Sequence, residues 1–595
     1  MMRRTSPTTA LWLVLLAVPL GAQQASPERP AVEERVIVTG TATELSFPHV
    51  ARAIDVITRE QIERLPARSV VDVLRLAAGV DVRARGEAGV QTDFAIRGAQ
   101  FGQALVLVDG QRLNDAQSGH HNGDIPVPLE AVDRIEILRG PGSSVHGADA
   151  FGGTINVITR AGTVTPAFTL TGGEFGAVEA SGAASVGGRH TFAGSLAHSD
   201  GFMYDRDYDV ATASVRTAIA GTRLFAGVTR KAFGANGFYG ASPSYEWTNQ
   251  TMVGAERRFE AGAWTALVDA HYRTHGDRFR WDVNRPGFAE NVHRTHAATA
   301  TLRVSRETRA GRVTLGGEGG GDWIRSSNLG DHAVGRASAF AEVQWRASEA
   351  VTLLPAVRVD HYSGAGTAVS PSLAAGWWVT PRVKLRGSAA RAFRVPTFTE
   401  LYYTDPNHQG AGALDPEHST GVDAGLDWLP APGWAARVTV FGRRDTNVID
   451  WVRPSAAVKW RTTNLRSSDT GGLEVGVDRQ GAGPRGALLG LSYAWLSVTP
   501  DGLDLLSKYL LEYATHSVAA HAAVTLPLGV AWGQRVEYRS RYDGQQYWLL
   551  DTRLSRRFGR VEVFGEASNL LDERYEEIAG ITAPPRWLRA GVTIR

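Results

Sequence analysis

The chain has 595 residues, with 66 glycines, 16 tryptophans, no cysteine and a formal net charge of +2. The lack of cysteine excludes disulfide bonds, thiolate metal sites and cysteine nucleophiles, and the small net charge argues against a nucleic-acid-binding protein. A chain of this length ordinarily folds as several soluble domains, because single cores rarely grow beyond roughly 250 to 300 residues.

The amino terminus has the layout of a secretory signal. Two arginines precede an apolar stretch at residues 10–20, and small residues follow it. This stretch is too short to cross a bilayer as a helix, which takes about 20 apolar residues. We expect residues 1–22 to be a signal peptide cleaved after Ala22; the alternative is a short buried helix.

Residues 23–47 form a polar leader that contains one isolated apolar run. Pro27 and Pro30 favour a flexible chain in its first part. The run at residues 36–39 is too short to be a stable strand alone, but it can add as a strand to the exposed sheet edge of a partner. The alternative is that this run is the first strand of the following domain.

Residues 48–160 have the pattern of a compact α/β domain with glycine-rich turns. Thr58 is placed to cap a helix together with Gln61, and Ser69 to cap a second helix over residues 70–76 that Gly79 ends. The predicted strands lie at residues 54–57, 93–97, 104–109, 134–138 and 154–159.

From residue 161 to residue 595, apolar and polar residues alternate with a period of two. At residues 560–567, for example, Val561, Val563 and Ala567 share one face and charged residues occupy the other. Such strands fit a soluble sandwich, whose apolar face points into a core, or a membrane barrel, whose apolar face points into lipid. Length favours a barrel of about 22 strands with roughly 20 residues per strand and loop.

Motifs in the α/β domain resemble the plug domain of TonB-dependent outer-membrane receptors. Their order and spacing match as a set: Ile96-Arg97-Gly98, Leu107-Val108-Asp109-Gly110, residues 135–141 and residues 147–157. Three later stretches resemble barrel signatures of the same family, at residues 393–402, 472–474 and 569–575. The resemblance implies a transmembrane β-barrel of about 22 antiparallel strands, residues 161–595, with the α/β plug inside its lumen and the protein in the bacterial outer membrane.

The resemblance also implies an energy source for the transporter. The leader run looks like a TonB box, which pairs as a strand with TonB and so couples the receptor to the energised inner-membrane complex. Its residues are Glu34, Arg35, Val36, Ile37, Val38 and Thr39.

The family commonly holds its plug with two plug arginines against two barrel carboxylates. The matching residues are Arg97, Arg139, Glu474 and Asp423. A glutamate would be expected in place of Asp423, so the shorter side chain changes the expected geometry. The alternative is that these are unrelated lumen charges surrounded by water.

A receptor of this kind binds a large small-molecule ligand between plug loops and outer loops, and it needs no covalent chemistry. Polar, glycine-rich stretches between strands suit such contacts. The candidates are Arg85, Glu87, Gln91, Gln117, Ser118, His120, His121, Asn122, Asp124, Tyr245 and Trp247. The alternatives are ordinary solvated turns and, for the aromatic residues, the interface girdle of a barrel.

Two places could bind a metal ion. His120 and His121 are adjacent, so in extended backbone their side chains point to opposite faces and are not expected to share one ion. A dense acidic group could hold Ca²⁺, as in cobalamin receptors of the family, or could be a solvated hairpin face. Its members are Asp200, Asp205, Asp207 and Asp209. Apart from this calcium, no cofactor is expected.

The overall size, modest loops and plug sequence favour the cobalamin-receptor branch, with a cobalamin or related corrinoid as ligand. A ferric siderophore or another metal chelate is the alternative. The rival class is a secreted β-rich adhesin or enzyme, but the chain has neither a nucleophile elbow nor a His-Glu-x-x-His motif, so no enzymatic activity is expected. We expect a monomer in outer-membrane lipid.

Overall fold

The computed structural model describes residues 36–37, 39–240, 242–481, 483, 486–502 and 504–595. The expected signal peptide, its cleavage site and most of the leader lie outside these residues. None of the helices within the described ranges is both long and apolar enough to cross a bilayer.

The amino-terminal unit is a small α/β domain. Its main sheet has five strands in the order β3-β8-β9-β6-β7, in which only β6 and β9 run parallel, and β4 and β5 form a separate hairpin. The elements are β1 (Val36–Ile37), β2 (Leu45–Ser46), β3 (Ile54–Thr58), α1 (Arg59–Arg64), α2 (Val70–Leu74), β4 (Val80–Ala84), β5 (Thr92–Ile96), β6 (Ala104–Val108), β7 (Gln111–Arg112), β8 (Val132–Arg139), α3 (Ser143–His146) and β9 (Gly153–Thr159).

Side-chain caps begin both of the predicted helices, as the sequence indicates. Thr58 and Gln61 form a reciprocal capping box at α1, and Ser69 does the same with Asp72 at α2. Helix α2 is two residues shorter than expected. It ends at Leu74 because the next N–H groups bond to carbonyls three residues back, which tightens the turn.

The rest of the chain closes into one barrel of 22 antiparallel strands, which confirms the predicted fold. First and last strands pair from Phe168 with Ile594 to Gly173 with Arg589. Two short strands, β23 (His408–Gln409) and β28 (Leu506–Ser507), and a short helix, α4 (Phe398–Tyr402), lie in the connections.

The barrel strands are β10 (Ala167–Gly173), β11 (Val178–Val186), β12 (His190–Ser199), β13 (Tyr208–Ile219), β14 (Thr222–Gly234), β15 (Tyr245–Ala261), β16 (Trp264–Arg280), β17 (Glu290–Thr308), β18 (Gly311–Ser326), β19 (His332–Arg346), β20 (Val351–Tyr362), β21 (Gly366–Thr380), β22 (Val383–Arg394), β24 (Glu417–Trp428), β25 (Trp434–Arg453), β26 (Trp460–Gln480), β27 (Leu488–Pro500), β29 (Ala514–Thr525), β30 (Val530–Arg541), β31 (Gln546–Phe558), β32 (Val561–Ser568) and β33 (Trp587–Ile594).

The alternation along the strands places apolar residues outside and polar residues inside. On β33, Leu588 and Ile594 are 43% and 53% exposed, whereas Arg589 and Thr593 are each 5% exposed. A soluble sandwich would bury the apolar face instead. The buried polar face therefore favours the membrane barrel over the soluble sandwich. It also explains why large charged side chains line the lumen.

The two ends of the barrel differ in their connections. One end, here called the long-loop end, carries the connections at residues 200–207, 235–244, 281–289, 395–416, 501–513 and 569–586. The opposite, short-turn end carries brief turns such as the one between β13 and β14. The α/β domain fills the lumen between these ends and is called the plug below.

Candidate functional site

Three buried charged residues, Arg97, Arg139 and Glu474, join the centre of the plug to the barrel wall. Arg97 Nε and Nη2 lie 3.1 and 2.7 Å from the two carboxylate oxygens of Glu474, and Arg139 Nη1 lies 3.1 Å from Glu474 Oε2. Arg139 also contacts Asp55 at 2.8 Å. The structure thus brings together the two plug arginines and the glutamate that the sequence singles out, and a buried guanidinium needs such partners.

Asp423 sits at the edge of this group. Its Oδ2 atom is 3.8 Å from Arg97 Nη1 and accepts a hydrogen bond of 2.8 Å from the Ser388 hydroxyl. Arg386 approaches its other oxygen at 3.9 Å. The shorter side chain therefore leaves a loose contact with the plug, whereas Glu474 makes a close, two-point one.

Further ion pairs between plug and barrel were not predicted. Arg75 contacts Glu577 at 2.6 Å, Arg541 contacts Asp81 at 3.2 Å, and Arg273 contacts Asp115 at 2.5 Å. The flanking arginines hold the pKa of Asp81 at about 2, although burial alone would raise it. The partners lie far apart in the chain, so no local spacing indicates them.

The end of the leader is fixed to the plug through Thr39. Its N–H and hydroxyl groups donate to Glu136 Oε2 at 3.0 and 2.7 Å, Asn156 donates to its hydroxyl oxygen at 3.0 Å, and His146 Nε2 donates to its carbonyl at 2.8 Å. The preceding strand β1 pairs with β2 rather than with the five-stranded plug sheet.

Only part of the predicted TonB box can be described. Glu34, Arg35 and Val38 lie outside the described residues, while Val36 and Ile37 pair through their backbones with Ser46 and Leu45. In this arrangement one edge of the predicted box strand is paired with a later segment of the leader. The assignment of residues 34–39 as the box stays a prediction.

The plug apex, residues 85–91 and 116–124, faces the long-loop end. His120 Nδ1 lies 2.8 Å from Asp93 Oδ1, and its ring stacks on Phe101 at 4.1 Å. Burial lowers the pKa of His120. Burial would raise the pKa of Asp93, but the charges of Arg85 and His120 outweigh this effect and lower it. His121 points elsewhere, toward Asp277. Both histidines lie in a short 3₁₀ helix at Gly119–Gly123 and not in the extended backbone that the prediction assumed.

Long loops cover this apex. The N–H groups of Phe398 and Thr399 donate to the carbonyls of Ala116 and Gln117 at 2.9 and 3.0 Å. Tyr509, from the connection at residues 501–513, packs edge-on against Phe101 at 5.0 Å. The plug apex is therefore closed from the long-loop end in this conformation.

Most other predicted apex residues contact this cover or the wall. Arg85 pairs with Asp93 at 3.1 Å, Gln117 donates to Asp277 at 2.9 Å, and Gln91 donates to Tyr239. Asn122 donates nothing through its side chain but accepts from the N–H of Asp115 at 3.2 Å. The remaining contacts are Glu87 with Arg68 and Arg589, Ser118 with the N–H of His120, and Asp124 with Lys231 and His275.

The two aromatic candidates on β15 are not brought to the apex. Tyr245 donates to Asp207 at 3.0 Å. The Trp247 ring lies tilted against the Tyr245 ring at 4.6 Å and 4.8 Å from the Arg278 guanidinium. Glu246, between them, has the opposite orientation and is buried against the plug. Strand alternation could have indicated this difference.

The acidic group at the top of β12 and β13 does not converge on one point. His198 lies 3.5 Å from Asp200 and 2.8 Å from Asp209, while Asp207 accepts from Tyr245. Burial and the neighbouring Asp207 raise the pKa of Asp205 to about 6. A calcium site here stays a prediction.

A large cavity opens at the short-turn end between plug and barrel. Its volume is about 1330 Å³, beyond the roughly 300–1,000 Å³ of most small-molecule pockets. Its polar walls include Glu60, Arg437 and Asp478, and its inner end reaches Arg139 and Glu474. The cavity therefore ends at the central charged group.

Comparisons with known proteins agree with this architecture. A family model described as "TonB dependent receptor-like, beta-barrel" matches residues 159–570, and one described as "TonB-dependent Receptor Plug Domain" matches residues 49–154. The chain is 25% identical over 512 residues to the vitamin B12 transporter BtuB of Photobacterium profundum, covering 79% of each protein. It is 26% identical over 497 residues to an iron-regulated outer membrane virulence protein of Vibrio cholerae, covering 74% of this chain and 73% of that one.

Solved structures share the fold. A point mutant of the ferric enterobactin receptor PfeA of Pseudomonas aeruginosa superimposes with a TM-score of 0.73 at 17% identity, covering 92% of this chain and 99% of that one. The siderophore receptor PirA of Acinetobacter baumannii gives a TM-score of 0.72 at 16% identity, covering 91% and 98%.

Proposed function

Because this chain belongs to the TonB-dependent receptor family of outer-membrane transporters, we propose that its ligand is a cobalamin or a related corrinoid. The family is one of transporters and receptors rather than enzymes. The similarity to a vitamin B12 transporter over 79% of both chains supports this choice. A ferric siderophore is the second candidate, supported by the similarity to an iron-regulated outer-membrane protein.

The observation that carries the proposal is a surplus of amide groups at the plug apex and at the neighbouring Gln100. Within the described part of the chain, the buried atoms Gln91 Oε1, Gln117 Oε1, Gln100 Nε2 and Asn122 Nδ2 have no hydrogen-bond partner. Unpaired buried amides cost free energy, so they favour a ligand that supplies complementary groups. A corrin ring carries amide side chains around its edge and can supply both donors and acceptors.

Two arginines near the apex are already paired with carboxylates. Arg85 pairs with Asp93 at 3.1 Å and Arg83 with Glu512 at 2.8 Å. A ferric catecholate is an anion and would favour cations free to pair with it. These two pairs therefore favour an uncharged, amide-rich ligand over an anionic chelate.

For the energy source, we propose that TonB pairs with residues 34–39 and pulls on the plug through the leader. Pairing through the edge of β1 that faces β2 requires the β1–β2 contact to open. Force applied to the leader reaches the plug sheet at Thr39, which is bonded to Glu136 on β8 and Asn156 on β9. The receptor acts as a monomer, since ligand path and plug lie within one barrel.

The test is cobalamin uptake by a strain that lacks its own receptor and produces this protein. Wild-type protein is expected to restore growth on scarce cyanocobalamin. Val36→Pro removes a backbone donor and fixes φ, so it is expected to abolish uptake. Ala31→Pro, which places the same residue in the leader outside the box, is the control and is expected to leave uptake unchanged.

Equilibrium binding to the purified receptor identifies the ligand class. Saturable binding of cyanocobalamin without binding of ferric enterobactin supports the proposal. Binding of the ferric chelate alone would reject the corrinoid and establish the siderophore alternative. Uptake that is unchanged in Val36→Pro would reject the box assignment while leaving the ligand open to the binding result.

A further inference from the structure

One buried cluster of metal-ligand side chains lies where the plug apex meets the barrel wall. His121 comes from the plug, Glu246 from β15 and Asp277 from β16. One donor atom from each lies within 4.8 Å of the other two, and the three residues are 5%, 2% and 7% exposed. The cluster therefore joins two parts of the fold at a point shielded from solvent.

This cluster contains two carboxylates and one histidine. Among the described residues, no lysine or arginine forms an ion pair with Glu246 or Asp277. Their polar contacts include the amide of Gln117 at 2.9 Å and His121 at 3.5 Å from Asp277 Oδ2, and the Tyr239 hydroxyl at 3.5 Å from Glu246. Two carboxylates in a buried site need a cation or a proton to offset their charge.

One atom of the cluster also lacks a partner. Asp277 Oδ1 is buried and has no hydrogen bond within the described ranges, although Asp277 Oδ2 is well bonded. An orphaned carboxylate oxygen is costly in a buried site. Asp277 therefore has one buried oxygen that a bound cation would satisfy.

A neighbouring trio provides an internal comparison. His121, Asp124 and His275 are equally close together. There, however, Asp124 is neutralised by Lys231 at 2.7 Å and bonded to His275 at 2.8 Å. A metal ion bound by these three residues would have to displace the Lys231 ammonium group. No lysine or arginine has to be displaced from the described contacts of Glu246 and Asp277, so that set is the more favourable metal site.

We propose that His121, Glu246 and Asp277 bind one divalent transition-metal ion of the zinc class. Imidazole together with carboxylates suits Zn²⁺ and its neighbours better than Ca²⁺ or Mg²⁺, which take oxygen ligands only. Zinc bonds to these atoms are about 2.0–2.2 Å long, so the donors need to draw together by only about an ångström. Three protein ligands leave a fourth position for water or another donor.

The surroundings suit ligands of this kind. Gln117 donates to Asp277 and Tyr239 to Glu246, and outer contacts like these orient metal ligands. The His275 ring lies 4.4 Å from the His121 ring and can shield or supplement the site. Because its ligands come from both plug and wall, the bound ion links the plug apex to the barrel. The site is independent of the identity of the transported ligand.

The test is zinc binding by the full receptor, purified in detergent with an affinity tag that contains no histidine. After removal of metals with a chelator, Zn²⁺ is titrated by calorimetry in excess Ca²⁺ and Mg²⁺, which occupy surface carboxylates. Wild-type protein is expected to bind one Zn²⁺ per chain. Asp277→Asn and Glu246→Gln are each expected to weaken binding at least tenfold, because each removes a charged ligand.

Asp469→Asn is the matched control. It makes the same chemical change on a barrel strand, at the exposed Arg444–Asp469 pair, and is expected to leave zinc affinity unchanged. No zinc binding by wild-type protein, wild-type affinity in both cluster variants, or loss of binding only in Asp469→Asn would each overturn the proposal.

X-ray absorption of the zinc-loaded wild-type receptor keeps the proposal testable even where a variant does not fold. The expected spectrum shows imidazole nitrogen together with carboxylate oxygen around the ion. A spectrum with oxygen ligands alone would exclude His121 and overturn the assignment.

Discussion

Among the described residues, Glu474 is the carboxylate that pairs with both central plug arginines. Its two oxygens contact Arg97 and Arg139, and it is 4% exposed. Asp423, the other predicted carboxylate, contributes only a contact of 3.8 Å to the plug. The two acidic residues therefore differ in the free energy with which they hold the plug.

Removing the charge of Glu474 is expected to loosen the plug. Glu474→Gln leaves two buried guanidinium groups short of a partner, which costs about 3 to 5 kcal/mol of plug stability. The urea concentration at which the plug becomes sensitive to protease measures this loss. Asp469→Asn, on the same strand but in an exposed pair with Arg444, should cost less than about 1 kcal/mol. Equal effects would contradict the role of Glu474.

His146 gives the plug a pH dependence. Burial, with a contribution from nearby arginines, lowers the pKa of its side chain to about 4. The unfolded chain, with the ordinary histidine pKa near 6.5, binds the proton first, so plug stability should fall as pH drops from about 6.5 toward 4. Melting temperatures at pH 7 and pH 5 measure the effect, and His146→Gln, which keeps a donor, should show a smaller difference. An identical pH response would refute this.

Sequence patterns located some of these residues and missed others for a physical reason. Arg97, Arg139 and Glu474 lie in motifs that can be recognised locally. Glu246 and Asp277 gain their importance only from the barrel register that places them beside His121. The sequence directed attention to Tyr245 and Trp247 because aromatic residues are conspicuous, although they lie on the opposite face from Glu246.

At the level of elements, the stability of the leader hairpin formed by β1 and β2 controls access to the predicted TonB box. Strands β1 and β2 share only two residue pairs, so little of the hairpin's stability comes from its ladder. The contacts of Thr39 with Glu136 and Asn156 supply much of the rest.

Thr39→Ala is expected to release the leader. It removes two side-chain hydrogen bonds, each contributing about 1 kcal/mol, and so should raise the open population about thirtyfold. Because the chain has no cysteine, Ile37→Cys provides a unique label, and its maleimide reaction rate reports opening. Thr43→Ala, which loses a bond from Gln344 instead, is the control. Equal maleimide reaction rates in the Ile37→Cys receptor with and without Thr39→Ala would refute the role of the Thr39 contacts.

The secondary-structure elements were easier to predict from the sequence than the contacts between them. Caps and the two-residue period are local properties, so both helix starts and the barrel pattern followed from the sequence. The contact between α4 and the plug apex joins residues 398–399 to residues 116–117. Such a contact depends on how a long loop folds back, which no local pattern specifies.

At the scale of the whole molecule, the cavity at the short-turn end can be tested with one substitution. Gly476 lines it, and a Cβ atom added there meets no atom within 4 Å. Gly476→Trp should fill part of the cavity without disturbing the fold, so ligand binding should persist while uptake falls several-fold. Gly319→Trp, at an equally open position outside this cavity, should leave uptake unchanged. Normal uptake in Gly476→Trp would exclude the cavity from the route.

The same cavity shortens the path that transport has to open. It reaches from the short-turn side to Arg139 and Glu474, so part of the space beside the plug is open before any force is applied. The loop-covered apex lies on the far side of this charged group. A partial shift of the plug, with most of its sheet intact, is then enough to extend the cavity into a channel.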